Sequence, residues 1–160
     1  MLTPEYSFVL HTRNPLAKVG AGNEGDLYAE IAPGMGETLA SGAEGAAWRL
    51  TVSDTPGSVK MRAFANFSEA YLPSSAAASA PEVNSIYDSA TSVMEKGMVA
   101  QQVVAYSAHS LSTDETARES LGGALFKVGK YLESELGGPQ DIEGAAVGDN
   151  IYIVQSRPQP

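Results

Sequence analysis

The stretch from Asp141 to Arg157 reads DIEGAAV, GDN, IYIVQSR: two strand-like runs around a turn signal. It constrains the fold more than any other stretch, because side chains in a strand alternate between faces. Asp141, Glu143 and Ala145 therefore share one face of the first strand, and Ile151, Ile153, Gln155 and Arg157 one face of the second. With Gly148-Asp149-Asn150 as a three-residue loop, Val147 lies opposite Ile151, Glu143 opposite Gln155 and Asp141 opposite Arg157. Two acids, an amide and a guanidinium then form one patch at the open end of the hairpin, with Ile and Val filling the closed end.

The pattern leaves two readings of that patch open. One is a surface hairpin with a cross-strand Asp–Arg ion pair, an arrangement that contributes little in solvent. The other is a site for a metal–polyphosphate ligand. Mg²⁺ takes one or two carboxylates and draws its remaining oxygens from phosphate and water, and an amide oxygen can join them. A guanidinium grips phosphate oxygens in a planar fork.

One long helix precedes the hairpin. Ser112 and Glu115 read as a capping box, and Ala117, Leu121, Ala124, Leu125, Val128, Leu132 and Leu136 recur at helical spacing. Gly137-Gly138 and Pro139 stop it. Gly122, Gly123 and Gly129 each weaken such a helix by about 1 kcal/mol relative to alanine, so packing must compensate or something must approach closely there.

Upstream, strands are expected at Tyr6–Thr12, Leu27–Ala32, Ala46–Val52, Val59–Phe67 and Met98–Ser107. Lys18–Asp26 is a Gly-rich loop without the Lys-Ser/Thr of a P-loop. Residues 73–85, PSSAAASAPEVNS, form a low-complexity insertion. Many strands and one long helix make an α+β domain with a mixed or antiparallel sheet.

Composition narrows the partners. A net charge of −9 argues against nucleic acid, which needs a basic face. With no cysteine, thiolate metal sites and disulfides are excluded. No apolar run is long enough for a membrane span. The chain opens in strand-like YSFVLHT, which suggests a segment of a longer protein.

The closing residues PQDIEG…IYIVQSRPQ resemble the end of the nucleotide-binding domain of pyruvate phosphate dikinase and PEP synthase, an ATP-grasp fold. FVLHTRNP, YAEIAPGMGETLASG, QDIEG and VQSRPQ, in that order, resemble the carboxyl-terminal part of the glucan, water dikinases. GETLASGAEGAAWRL, AFANFSE and YIVQSRPQP look more like their phosphoglucan branch than their alpha-glucan branch.

The resemblance implies that residues 1–160 are the carboxyl-terminal subdomain of an ATP-grasp domain using ATP and Mg²⁺. It implies that Glu37, in GMGET, contacts the nucleotide ribose. Asp141 and Glu143 would hold Mg²⁺, Gln155 would sit beside metal and phosphates, and Arg157 would stabilise phosphoryl transfer. Thr12 and Asn14 match a turn lining the site; Thr38 is assigned no role. The implied reaction passes the β-phosphate of ATP through a histidine in an upstream domain to an α-glucan or phosphoglucan. The γ-phosphate goes to water, and AMP leaves. The implied location is the plastid stroma. Another dikinase of the superfamily and a non-catalytic nucleotide-binding fragment remain as alternatives. These residues alone are expected to be inactive, because an ATP-grasp site is a cleft between two subdomains.

His11 and His109 lack the setting of the family's phosphohistidine and read as structural. Trp48, Phe64, Phe67 and Tyr71 read as core rather than as a sugar platform. Glu24, Asp26 and Glu30 read as a solvated face, as do Glu133 and Glu135.

Overall fold

Alternating apolar residues in YSFVLH and an almost wholly buried LYAEIAP put these two segments at the centre of one sheet. The computed structural model describes residues 4–18, 20, 22–23, 25–40, 46–53, 58–66, 69–73 and 99–160. In chain order the strands are β1 (Tyr6–His11), β2 (Leu27–Pro33), β3 (Trp48–Val52), β4 (Val59–Ala63), β5 (Glu69–Pro73), β6 (Val99–Val103), β7 (Gln140–Val147) and β8 (Asn150–Pro158). The helices are α1 (Glu37–Ala40), α2 (Ser110–Thr113) and α3 (Glu115–Glu135). β4-β3-β2-β1-β7-β8 form a six-stranded sheet, and β5-β6 a two-stranded one. Every ladder among the described residues is antiparallel, which resolves the mixed-or-antiparallel expectation. The α+β class holds. The expected insertion at 73–85 lies outside the described residues apart from Pro73.

The core is the sheet face carrying Phe8, Leu10, Leu27, Ala29, Ile31, Leu50, Val52 and Ile142. α3 lies over that face, and its glycines explain how closely. A Cβ on Gly129 would stand 2.7 Å from Leu27 and 3.2 Å from Leu10; one on Gly122 would meet Val59 at 2.7 Å. The helix therefore gives up propensity to bring its backbone against the strands. Its buried positions are Gly122, Leu125 and Gly129, while Leu136, expected on the apolar face, is 56% exposed. The face is turned toward its glycines, which a count of large apolar residues passes over.

The cap also differs from the expected one. Asp114, not Ser112, is the N-cap of α3, accepting from the Thr116 N–H at 2.8 Å. Ser112 belongs to α2, where its hydroxyl donates to the Tyr106 carbonyl and accepts from Trp48 Nε1 at 2.9 Å. Gly137, at φ 76°, ends the helix as expected, and the Gly138 N–H closes back on the Glu133 carbonyl at 3.0 Å.

Trp48 is fully buried, as the sequence suggests, but Phe64 is 55% exposed and is not core. His109 caps α2 rather than sitting in an open loop, with its ring 5.0 Å from Trp48 and 5.3 Å from Tyr6. Burial holds its pKa below the ordinary histidine value, which suits a neutral packing role.

Candidate functional site

The second face of the sheet, away from α3, carries the polar side chains. Residues directly opposite on neighbouring strands share a face. One row across the sheet therefore reads Thr51, Tyr28, His11, Asp141, Arg157. The next reads Arg49, Glu30, Val9, Glu143, Gln155. The expected partners Asp141–Arg157 and Glu143–Gln155 do stand opposite each other.

They do so by a different route from the one expected. The turn has two residues, Gly148-Asp149, with Val147 opposite Asn150 and Gly148 at φ 53°. That register is one residue out from the expected one. A bulge restores it: Gly144 pairs with Ile153 and Glu143 with Gln155, which leaves Val154 as the extra residue. Ile151 and Ile153 consequently lie on the helix-side face, opposite to Gln155 and Arg157, and the expected shared face is corrected. β8 is the edge strand of the sheet, with Tyr152, Ile153 and Val154 at 41%, 40% and 76% exposure. Without a bulge, the two-residue turn would have put both polar residues on the wrong side.

At the open end, the Arg157 guanidinium donates to Asp141 Oδ2 twice, from Nε at 2.8 Å and from Nη2 at 2.7 Å. Nη2 stands 4.0 Å from Glu143 Oε1. The hydrogen bond to Asp141, with the Asp141 charge and then the Glu143 charge, raises the Arg157 pKa, so the group is a permanent cation. Asp141 is only 6% exposed, whereas the Glu143 side chain is 46% and the Arg157 side chain 58% exposed. Asp141 Oδ1 is buried without a hydrogen-bond partner. Among the described residues no three His, Asp or Glu side chains close round one point. The carboxylates of Asp141 and Glu143, both within 4.0 Å of Arg157 Nη2, are the donor type for a cation that takes its remaining ligands from phosphate and water.

Glu37 opens α1 and reaches the same region from another element. With Ser7, Val9, Met35, Glu143 and Val154 it lines a largely apolar cavity of about 670 Å³. The GMG turn before it is fixed from below. Gly34, at φ 73°, donates to the Glu5 carbonyl, and Met35 N–H donates to the Tyr71 carbonyl at 2.8 Å. Thr38 is buried; its hydroxyl accepts from the Tyr71 N–H at 3.0 Å, which gives the unassigned threonine a structural place.

Thr12 and Asn14 do not present their side chains to the patch. Thr12 Oγ1 accepts from the Gln140 N–H at 2.8 Å, and Asn14 Oδ1 accepts from the Leu16 N–H at 2.9 Å. They tie the end of β1 to β7 and shape the turn. Glu30 is also not a free solvated acid: it accepts from the Tyr28 hydroxyl at 2.7 Å and pairs with Arg49 at 3.2 Å. Sequence reasoning missed Tyr28, Glu30 and His11 as members of this face. The alternation of LYAEIA and FVLH carried the signal once the β1–β2 register was known.

No family model matches the chain. It is 34% identical to alpha-glucan water dikinase 2 of Arabidopsis thaliana, over 97% of this chain and 12% of that protein. It is 30% identical to a chloroplastic alpha-glucan water dikinase of Solanum tuberosum, over 99% of this chain and 11% of that protein. A 34-residue segment is 56% identical to a rifampicin phosphotransferase of Bacillus cereus, over 21% of this chain and 4% of that protein. The chain thus spans about an eighth of the length of the dikinases it matches.

Proposed function

The chain is a segment of the glucan water dikinase family, and on that premise we propose that its open sheet face is one wall of an ATP-grasp nucleotide site. The observation that carries this reading is the juxtaposition of Asp141, Glu143, Gln155 and Arg157, with Glu143 and Glu37 both lining one apolar cavity. A nucleoside has the dimensions and polarity for such a cavity, with a carboxylate near its sugar and charged groups near its phosphates.

In this reading Glu37 receives ribose hydroxyls. Asp141, Glu143 and the Gln155 amide would hold Mg²⁺ at the polyphosphate. The cation, when bound, neutralises charge on the transferring groups. Arg157 is the only positive group of the four, and it grips the phosphoryl oxygens as charge redistributes. Since Arg157 is paired with Asp141 through Oδ2, the nucleotide must compete for it, and the pair breaks as phosphate binds.

In the whole enzyme, the β-phosphoryl group passes to an upstream histidine and then to a glucan hydroxyl. The γ-phosphoryl group passes to water, and AMP leaves. The glucan acceptor and a plastid setting belong to this reading, and relatives named as chloroplastic alpha-glucan water dikinases support them. The sequence motifs favour the phosphoglucan branch, whereas the relatives above carry alpha-glucan names, so acceptor preference decides between branches.

The test uses the full-length enzyme with ATP labelled at the β- or the γ-phosphate, offered plain and prephosphorylated glucan. Label on glucan from the β position alone, with AMP formed, is the expected result. Transfer on prephosphorylated glucan only selects the phosphoglucan branch. Glucan labelled from the γ position, with ADP as product, would mean an ordinary kinase and would overturn the reading.

A further inference from the structure

His11 sits in the middle of the polar row, between Tyr28 on one neighbouring strand and Asp141 on the other. Its Nδ1 lies 3.8 Å from Asp141 Oδ1. Both atoms are buried, and neither makes a hydrogen bond. Buried polar atoms are almost always satisfied, so two complementary ones left bare and facing each other call for a reason. The reason lies on the other side of the carboxylate. Arg157 places both of its short contacts on Oδ2 instead of one on each oxygen, and so holds the carboxylate about 1 Å short of a hydrogen bond to His11. The imidazole is supported from behind by Tyr28, whose ring packs at 6.2 Å and whose hydroxyl is committed to Glu30.

We propose that His11 is the positioning residue for Asp141, taking its Oδ1 when Arg157 leaves the carboxylate for the phosphates. This rests on the nucleotide reading of the site. The imidazole donates from Nδ1 to Oδ1, which would leave Oδ2, vacated by Arg157, open to the cation. The carboxylate exchanges one partner for another and never stands buried without a donor, a state that would be costly. Such outer partners of a metal-binding side chain fix its orientation, and their loss typically weakens metal affinity about 10- to 100-fold.

The test measures equilibrium binding of labelled ATP to the full-length enzyme across a Mg²⁺ series, and again without metal. The variants are His11→Asn, His11→Gln and His11→Ala, with Glu143→Ala as reference. Asparagine can place its amide nitrogen where Nδ1 stands; glutamine reaches past it. His11→Ala and His11→Gln should raise the Mg²⁺ concentration for half-maximal binding about tenfold. His11→Asn should stay within about threefold of wild type by the same standard. Ligand-free melting temperatures should match wild type in all three, because His11 Nδ1 makes no hydrogen bond before ATP binds, and a collapsed sheet would not allow that. If all three bind like wild type while Glu143→Ala loses Mg²⁺ dependence, the role of His11 is overturned and the site reading stands. If asparagine fails as badly as alanine, Nδ1 is not the atom that matters and the proposal is overturned. If ATP binding by wild type does not respond to Mg²⁺, the site reading falls and the role of His11 with it.

Discussion

Arg157→Ala should lower phosphoryl transfer by the full-length enzyme about a thousandfold, the effect expected when a charge-stabilising arginine is removed from a phosphoryl-transfer site. Two consequences of the geometry sharpen the expectation. Arg157 is the permanent cation at the open end of the hairpin, and no neighbouring lysine stands in its row or the next on β1, β2, β7 or β8 to replace it. Its removal also strips both donors from Oδ2 of an almost buried Asp141. Arg157→Lys keeps the charge but offers one ammonium where a planar fork with two short contacts had stood. It should recover only part of the rate. Single-turnover kinetics with saturating Mg·ATP separate this loss from weakened binding, and a rate within threefold of wild type for Arg157→Ala would remove Arg157 from the chemistry.

The second large effect is structural and sits one residue from Glu143. A Cβ on Gly144 would lie 2.4 Å from the Phe8 ring and 2.5 Å from the Tyr152 carbonyl oxygen. Phe8 is buried in the core, and the oxygen belongs to the neighbouring backbone, so neither can retreat without moving a strand. Gly144→Ala should therefore destabilise the chain by about 3 kcal/mol, the upper part of the overpacking range. For a domain of this size that is a fall in Tm of about 10 °C. It should also loosen the bulge that sets Gln155 opposite Glu143, so nucleotide binding should suffer even below the transition. Gly123→Ala is the control. Nothing lies within 4 Å of its Cβ position, and an alanine there should stabilise α3 by up to about 1 kcal/mol. Melting the two variants side by side checks both signs. Equal melting temperatures would mean that the contact at Gly144 is relieved by small shifts.

These cases show where the sequence was legible. The long helix, its glycine stop and the closing hairpin follow from local chemistry: periodicity and turn residues. The pairing of Asp141 with Arg157 was also reachable, but through two errors that cancel. A three-residue loop and a two-residue turn with a bulge give the same partners at the open end. What separates them is Val154, and nothing local in IYIVQ says that its valine, rather than any neighbour, steps out of the ladder. The helix face was read correctly at Leu121, Leu125 and Leu132, which pack on the core, but its point of closest approach was missed for a related reason. Hydrophobic periodicity weighs side chains, whereas α3 approaches the sheet where side chains are missing, at Gly122 and Gly129. His11 read as a bland strand residue because its partner is 130 positions away, and only the β1–β7 register brings them together.

The central claim is that the Asp141–Arg157 face receives the metal–phosphate end of a nucleotide. Hydrogen exchange along Gln140–Pro158 tests it most directly, in the full-length enzyme, with ATP added in the presence and the absence of Mg²⁺. The account predicts slower exchange at Gln155 and Arg157 with Mg·ATP, much less with ATP alone, and no such response in Glu143→Ala. Unchanged exchange along this hairpin, in an enzyme shown in the same sample to bind Mg·ATP, would place the nucleotide elsewhere and contradict the account.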